Sequence, residues 1–446
     1  MKNRLRAGVS LVDISPGPGI ELAGYPHHPR YNTGIHDPLY AGCICLDDGT
    51  TKLALVCMDL VMYSKKEVRA VREEVARLTP ILAANIMITC SHTHSGPWAS
   101  GRLDLEALEQ GLQPDPGFMA DLHRKLVSLV KDAWDSRFEA NVGVEKGFCG
   151  RENGVGGNRR NPNEIADPEV WVVGVKDAAG KIRGCMVKYT LHPTFLHSDS
   201  FLVSADYPGC IRKCLAEKKP GMTFLFAQGC SGNQSPRYFR TGKTYDEAMR
   251  VGYAIGEEAS RAIDAMEYRP DAKLRVTSVE TDIETRALPS VDEAKKAVAA
   301  TRANWEKVKA ESATERDIWN AELRFLGAED TLAYVLVSGR GESLALRQDE
   351  FPVEVQVIGI GDARIVGLQG EAFVEFGITI QYRAPFDKTF VIELANGCLP
   401  GYACTARAYA QGGYETGASL LTGRSGEQLV EEAVRLLWKT TREGAR

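Results

Sequence analysis

Two histidines stand two positions apart in "CSHTHSGP", residues 90–97, where the apolar run "ANIMITC" gives way to Gly96-Pro97. The chain has eight histidines in 446 residues, so this pairing stands out. A third, His192, closes "CMVKYTLH" just before Pro193, and Glu371 follows "RIVGLQG". Imidazoles and a carboxylate, with one position left open, are the ligand types of a catalytic Zn²⁺. Residues two apart in a strand share a face, so His92 and His94 are expected to look into one cavity. Plainer readings stand beside this one. His27 and His28 in "GYPHHPR" read as solvated loop residues, and His123 as a structural residue of an amphipathic helix. Glu371 alone could be a carboxylate favoured at a helix N-terminus. It is the number of such residues at the ends of apolar runs that argues for a site.

Further polar residues fall at comparable tips: His197, Ser231 and Ser235, Asn396 and Tyr402. In α/β sheets ligands gather outside the carboxyl ends of the strands, so these tips are expected to converge. Ser235 raises the alternative of a serine nucleophile, but "GCSGN" and "GNQSP" both miss the G-x-S-x-G elbow. A serine that positions substrate beside a metal-activated water fits the inventory better. The 11 cysteines are odd in number and include no C-x-x-C pair. They read as reduced, buried thiols, Cys43 and Cys45 included.

The elements that must position these residues are legible in outline. Short β-branched runs bounded by Gly, Asp, Asn or Pro alternate with helical stretches such as "SKKEVRAVREEVARL", "DLHRKLVSLVKDAWDS" and "DEAMRVGYAIGEEASRAIDAM". This alternation predicts an α/β fold, mixed sheets covered by helices. One domain, 1–446, is expected, interrupted by a helical block at about 290–346 that opens with a capping box, Ser290 and Glu293. That block reads as a hairpin packed on a sheet edge; a lid, or a homo-oligomer surface, are the alternatives. Ser425 and Gln428 predict a second capping box for the last helix. With 54 Lys+Arg against 59 Asp+Glu and no basic stripe, nucleic acid is excluded as the expected partner. No apolar run reaches membrane-spanning length. The start, "MKNRLRAGVSLVDISP", lacks the apolar core of a signal peptide, so a cytoplasmic location is expected.

In order, "AGVSLVDISP", "LAGY", "GIHDPLYA", "SHTHSGP", "HPT", "SADYPG", "FAQGCSGNQSP" and "GYACTARAYAQGGYETGAS" resemble the N-terminal catalytic domain of the neutral/alkaline (non-lysosomal) ceramidase family, nearly end to end. The resemblance implies a zinc amidase that cleaves the N-acyl bond of ceramide. It implies His92, His192, Glu371 and Tyr402 as zinc ligands, with His94 beside the metal acting on the substrate. Ser235 matches the serine of the family's GDVSPN-type motif and Arg159 the arginine of its NRS motif. Tyr414 matches a tyrosine that precedes a glutamate late in the domain. The chain departs from the pattern at Asn233 and Gln234, and "NRRN" makes Arg160 a rival to Arg159. The C-terminal immunoglobulin-like domain of longer members is expected to be missing. The substrate implied is a lipid amide. A zinc hydrolase for a small polar amide or lactone is the alternative, and a non-catalytic binding protein the less favoured one.

Overall fold

The apolar runs form the strands of two stacked sheets in a computed structural model that describes residues 4–25, 27–101, 104–311, 314–339 and 350–442. The larger sheet has eight strands: β1 (Arg6–Asp13), β2 (Tyr40–Asp47), β3 (Lys52–Met58), β4 (Ile86–Cys90), β5 (Phe138–Phe148), β6 (Glu169–Asp177), β7 (Ile182–Tyr189) and β8 (Thr223–Gln228). Their spatial order is β8-β7-β6-β5-β1-β2-β3-β4. The interior pairs are antiparallel and both edge pairs, β3/β4 and β7/β8, are parallel. A parallel pair needs a crossover, and α1 (Lys65–Leu78) and α4 (Tyr207–Lys218) supply one at each edge. The smaller sheet runs β9 (Leu274–Thr281), β10 (Val353–Ile360), β11 (Ala363–Leu368) and β12 (Thr389–Ile392).

Side-chain alternation sorts these strands into layers. Cys43, Cys45 and Val56 face outward to a helix layer that includes Leu126 and Val130 of α3 (Pro116–Asp135). Their neighbours Ile44, Leu46 and Leu55 face inward to Ile358, Ile365 and Phe390 of the smaller sheet. On that sheet's far side, Val355, Val366 and Leu368 meet α8 (Val374–Arg383) and α11 (Ser425–Arg442), through Phe376 and Leu437. The order is therefore helix, sheet, sheet, helix, which realises the expected mixed α/β class. Trp171 stacks on Phe390 across the inter-sheet core, centroids 5.2 Å apart, worth about 0.5–1.5 kcal/mol beyond the area buried. All the cysteines are free thiols, and Cys43 and Cys45 lie side by side in apolar surroundings.

The helical block forms α6 (Val291–Ala310) and α7 (Glu315–Gly339); the stretch beyond Gly339 lies outside the described residues. The Ser290–Glu293 capping box is present, with both reciprocal bonds. Among the described residues the hairpin does not cover a sheet edge. It packs on the short helices α2 (Leu105–Gln110) and α10 (Tyr414–Gly417). The crossing is close because Gly327 meets Gly417: a Cβ on Gly417 would strike the Gly327 backbone, and one on Gly327 would press on the backbone of Tyr414 and Gly417. Thr331 and Tyr334 of α7 then donate to the carbonyls of Gly417 and Ala418. The second expected capping box is absent. Helix α11 begins at Ser425 itself, whose hydroxyl donates to Glu284 O, while the Gln428 side chain accepts from Glu284 N–H. No described helix is long and apolar enough to cross a membrane.

Candidate functional site

The chain leaving β4 stays paired for two more residues. Ser91 N–H donates to Met58 O and His92 N–H to Leu60 O, both at 2.8 Å. His92 has φ 68°, in the left-handed region that non-glycine residues rarely adopt. The strand's two-residue repeat has therefore ended before the histidines, and alternation is not what aligns them. A turn does so instead: the His92 and His94 rings lie edge to face, 87° apart with centroids at 4.9 Å.

His92 Nδ1 lies 2.7 Å from Val61 O, and His192 Nδ1 lies 2.8 Å from Ser231 O. A carbonyl only accepts, so each Nδ1 carries a proton, and where the imidazole is neutral its Nε2 is left as a lone pair. The two Nε2 atoms are 3.2 Å apart, and each lies 3.2 Å from Glu371 Oε2. With both rings neutral, three buried acceptors converge on one point. Such a cluster is repulsive unless a proton or a metal cation fills it. Tetrahedral ligands at about 2.0–2.1 Å from a zinc ion lie about 3.3–3.4 Å from one another, close to the edges of this triangle. The residues present fit the ion.

The electrostatics agree. Burial, reinforced by the Arg159 guanidinium, brings the His192 pKa down to about 3, so the ring is neutral near pH 7. Burial opposes ionisation of Glu371, but the charge of His92 and the N–H bonds of both rings, when they carry a proton on Nε2, outweigh it and hold the carboxyl well below its ordinary range. A metal cation in the same place would act in the same sense. Burial first, then His92 and His192, push His94 far down as well. Neither ring nitrogen of His94 has a hydrogen-bond partner among the described residues. Its ring is placed by the loop carrying "LAGY". Tyr25 packs edge-on at 5.0 Å, and Arg30, almost wholly buried, donates to the carbonyls of His94 and Ala23. Gly24 has φ 96°, and a Cβ there would overlap the His94 imidazole, so the position requires glycine.

The other expected residues divide. Tyr402 is the register partner of Glu371 in a two-stranded parallel bridge, Glu371–Ala372 with Tyr402–Ala403. Its ring lies edge-on to Tyr414 at 5.9 Å, with the Arg159 guanidinium 5.4 Å above it. Arg159 and Arg160 clamp Glu415 from two sides, at 2.8 and 2.7 Å. Arg159 faces Tyr402, whereas Arg160 turns away to Gly412 O. Ser235 is buried in a bridge to Gly157, and its hydroxyl accepts from Arg237 N–H. No hydrogen bond links it to His94 among the described residues.

Several sequence readings change. Asn396 is no site residue: its backbone and side chain stitch it to Ile88 at the edge of β4. Glu371 precedes α8 and its cap Phe373, and is turned to the histidines rather than to the helix end. His27 is not solvated. It sits between Glu329 and Asp330 of α7, at 3.3 and 3.4 Å, and despite burial these carboxylates lift its pKa to about 9. His123 pairs with Glu74 in the helix layer, as a structural residue would. The supporting network was missed. Ser231 Oγ donates to Glu393 at 2.6 Å and accepts from Gln228, beside His192 Nδ1. Glu393 also accepts from Ala372 N–H, next to Glu371. Its signal was an acidic residue closing the apolar run "FVIEL".

A cavity of about 510 Å³ opens onto Glu371, Tyr402 and Tyr414. Met62, Trp98, Met119, Leu399 and Pro400 give it an apolar wall, and Asp330 and Tyr334 of α7 help to roof it. The volume falls within the roughly 300–1,000 Å³ usual for small-molecule sites.

No protein-family model matches the chain. Among curated proteins, the neutral ceramidase of Pseudomonas aeruginosa is 23% identical over 252 residues, 52% of this chain and 37% of that relative. The aligned stretch is thus little more than a third of the relative's length. The crystal structure of neutral ceramidase from Pseudomonas aeruginosa superposes on 98% of this chain and 75% of its own, with a TM-score of 0.72 at 19% identity. A structure of a ceramidase complexed with C2 superposes equally well, with a TM-score of 0.72 at 18% identity, over 98% of this chain and 76% of its own. The fold is shared with both.

Proposed function

We propose that this distant relative of neutral ceramidase, which has the neutral ceramidase fold, is a zinc-dependent hydrolase of N-acyl amides. The observation that carries the reading is the 3.2 Å triangle of His92 Nε2, His192 Nε2 and Glu371 Oε2. Imidazole and carboxylate donors suit zinc. Tyr402, the backbone neighbour of Glu371, is the fourth ligand proposed. When bound there, the ion supplies Lewis acidity and lowers the pKa of water to about 7.

The remaining groups have roles that follow from their surroundings. His94 is neutral at rest and neither nitrogen has a hydrogen-bond partner among the described residues, so it takes the proton that a water nucleophile must lose. It then delivers that proton to the departing amide nitrogen as the C–N bond breaks, leaving a carboxylic acid and an amine. Tyr414 and Arg159 donate toward the carbonyl oxygen as its charge develops, an arrangement worth about 3–4 kcal/mol per well-placed donor. Burial keeps the Tyr414 phenol protonated, as a donor must be. Ser235 orients the substrate. The apolar wall of Met62, Trp98 and Met119 receives the acyl group. Turnover of N-dodecanoyl amides, including dodecanoyl ceramide, tests the reading. Activity lost to 1,10-phenanthroline, restored by zinc and missing from His192→Ala is expected. Turnover indifferent to chelation would instead point to Ser235 as a nucleophile.

A further inference from the structure

Tyr414 has a second cavity on its other side, of about 470 Å³. Its lining differs sharply from the first. Five arginines, Arg159, Arg160, Arg237, Arg324 and Arg407, face three glutamates. In a chain of net charge -5 this is a local excess of positive charge. The glutamates are already engaged. Glu415 is held by Arg159 and Arg160, Glu164 by Arg407, and Glu375 accepts from Asn233.

Two of the arginines are not matched. Half-buried Arg237 and exposed Arg324 on α7 have no side-chain hydrogen bond or ion pair among the described residues. Burial, then repulsion from Arg159, weakens the hold of Arg237 on its charge. After burial, Lys243, Arg240 and then Arg237 keep His197 down at about 3. An arginine fork matches the oxygens of a carboxylate or a phosphate, which it binds through paired N–H donors. The Arg237 backbone N–H bonds Ser235 Oγ, which ties this cavity to the site residues.

We infer that the second cavity binds an oxyanion, a carboxylate or a phosphate monoester, carried on the amine side of the substrate. Resting on the hydrolase reading, this names its substrate class: N-acyl amides with an anionic leaving group, the acyl chain in the apolar cavity and the oxyanion across Tyr414.

Three probes sharing one acyl chain test it: N-dodecanoylglycine, N-dodecanoyl phosphoethanolamine and neutral N-dodecanoyl ethanolamine. Wild type is expected to favour at least one anionic probe over the neutral one tenfold or more in kcat/KM, and which one tells carboxylate from phosphate. Arg237→Gln should reduce that preference about tenfold, Arg237→Lys should retain part of it, and 0.5 M salt should lower it. Arg324→Gln, at an exposed position, provides a second reading should Arg237→Gln fail to fold. A preference near one in wild type, or one unchanged in the glutamine variants, would overturn the inference. If neither these probes nor dodecanoyl ceramide is turned over, the hydrolase reading falls and calorimetry decides this one alone. Either N-dodecanoylglycine or N-dodecanoyl phosphoethanolamine binding tenfold tighter than the ethanolamide, with the difference lost in Arg237→Gln, supports the anion site; equal binding of all three, or none, overturns it.

Discussion

Substituting His192 is the perturbation whose consequence follows most directly from the geometry. Structural zinc sites bind with about 10–16 kcal/mol in all, so one of four ligand positions carries roughly 2.5–4 kcal/mol. At about 1.4 kcal/mol per tenfold, His192→Ala should raise the Kd for zinc by about 10²–10³. The ring is fully buried, so its loss also leaves a cavity, and Glu371→Gln serves as the nearly isosteric partner experiment. That variant keeps the volume and removes the charge that both Nε2 atoms face at 3.2 Å. Metal content after dialysis, with competition against a chromophoric chelator, reads both. Wild type is expected to hold one zinc per chain and the two variants much less. His123→Ala, whose ring bonds Glu74 in the helix layer, should leave the stoichiometry at one. Zinc of undiminished affinity in both site variants, or a wild-type chain that binds no divalent ion, would refute the reasoning.

Gly24→Ala should lose at least tenfold in kcat while keeping its zinc, because the new Cβ overlaps the ring of His94 and not the triangle; kinetics and metal content on one preparation check it. The strained φ should also lower stability by about 1–3 kcal/mol. Ser231→Ala keeps the carbonyl that orients His192 but removes the hydroxyl linking Gln228 and Glu393. Its zinc affinity should fall about tenfold, at the lower end of the outer-sphere range, by chelator competition. His27 has a folded pKa of about 9 against an ordinary value of 6.5. Its contribution is therefore fully present below pH 6.5 and is lost as pH rises through about 9. The shift alone corresponds to about 3 kcal/mol. Asp330, which burial raises even beside His27, offsets part of this. Urea melts of wild type and His27→Gln should differ by about 1–2 kcal/mol at pH 6 and converge by pH 10.

What the sequence made legible was set by how local each signal is. Apolar periodicity located the strands and helices because alternation and 3.6-residue repeats are local properties. It named His92, His192 and Glu371 because each closes an apolar run, and the triangle brings those three together. It failed where placement depends on a partner distant in the chain. Asn396 and Glu393 look alike as polar residues at one strand end, yet Asn396 seals the edge of β4 and Glu393 turns to Ser231. His27 looked solvated because Glu329 and Asp330 lie some 300 residues away in sequence. The Ser425–Gln428 pattern matched a capping box, but both side chains were drawn off by the backbone of Glu284. The hairpin was expected on a sheet edge; its seat depends on the Gly327–Gly417 contact, which no periodicity reveals.

The site belongs to neither sheet alone. His92 and His192 extend from β4 and β7 of the larger sheet, whereas Glu371 and Tyr402 follow strands of the smaller. The tail of β12 joins the two. Asn396 pairs with Ile88, and Thr89 Oγ1 donates to Glu393 O, so the chain beyond β12 covers the otherwise open edge of β4. That same tail points Glu393 at Ser231 and Ala372, behind one imidazole and beside the carboxylate. Edge protection and ligand orientation are thus one piece of backbone. Because the triangle's corners come from both layers, its 3.2 Å edges depend on how the inter-sheet core docks. A close-packed interior fixes that docking to fractions of an ångström. The stacked pair Trp171 and Phe390 and the apolar side chains around it therefore do more than hold the fold: they keep two imidazoles and a carboxylate close enough together for a single cation.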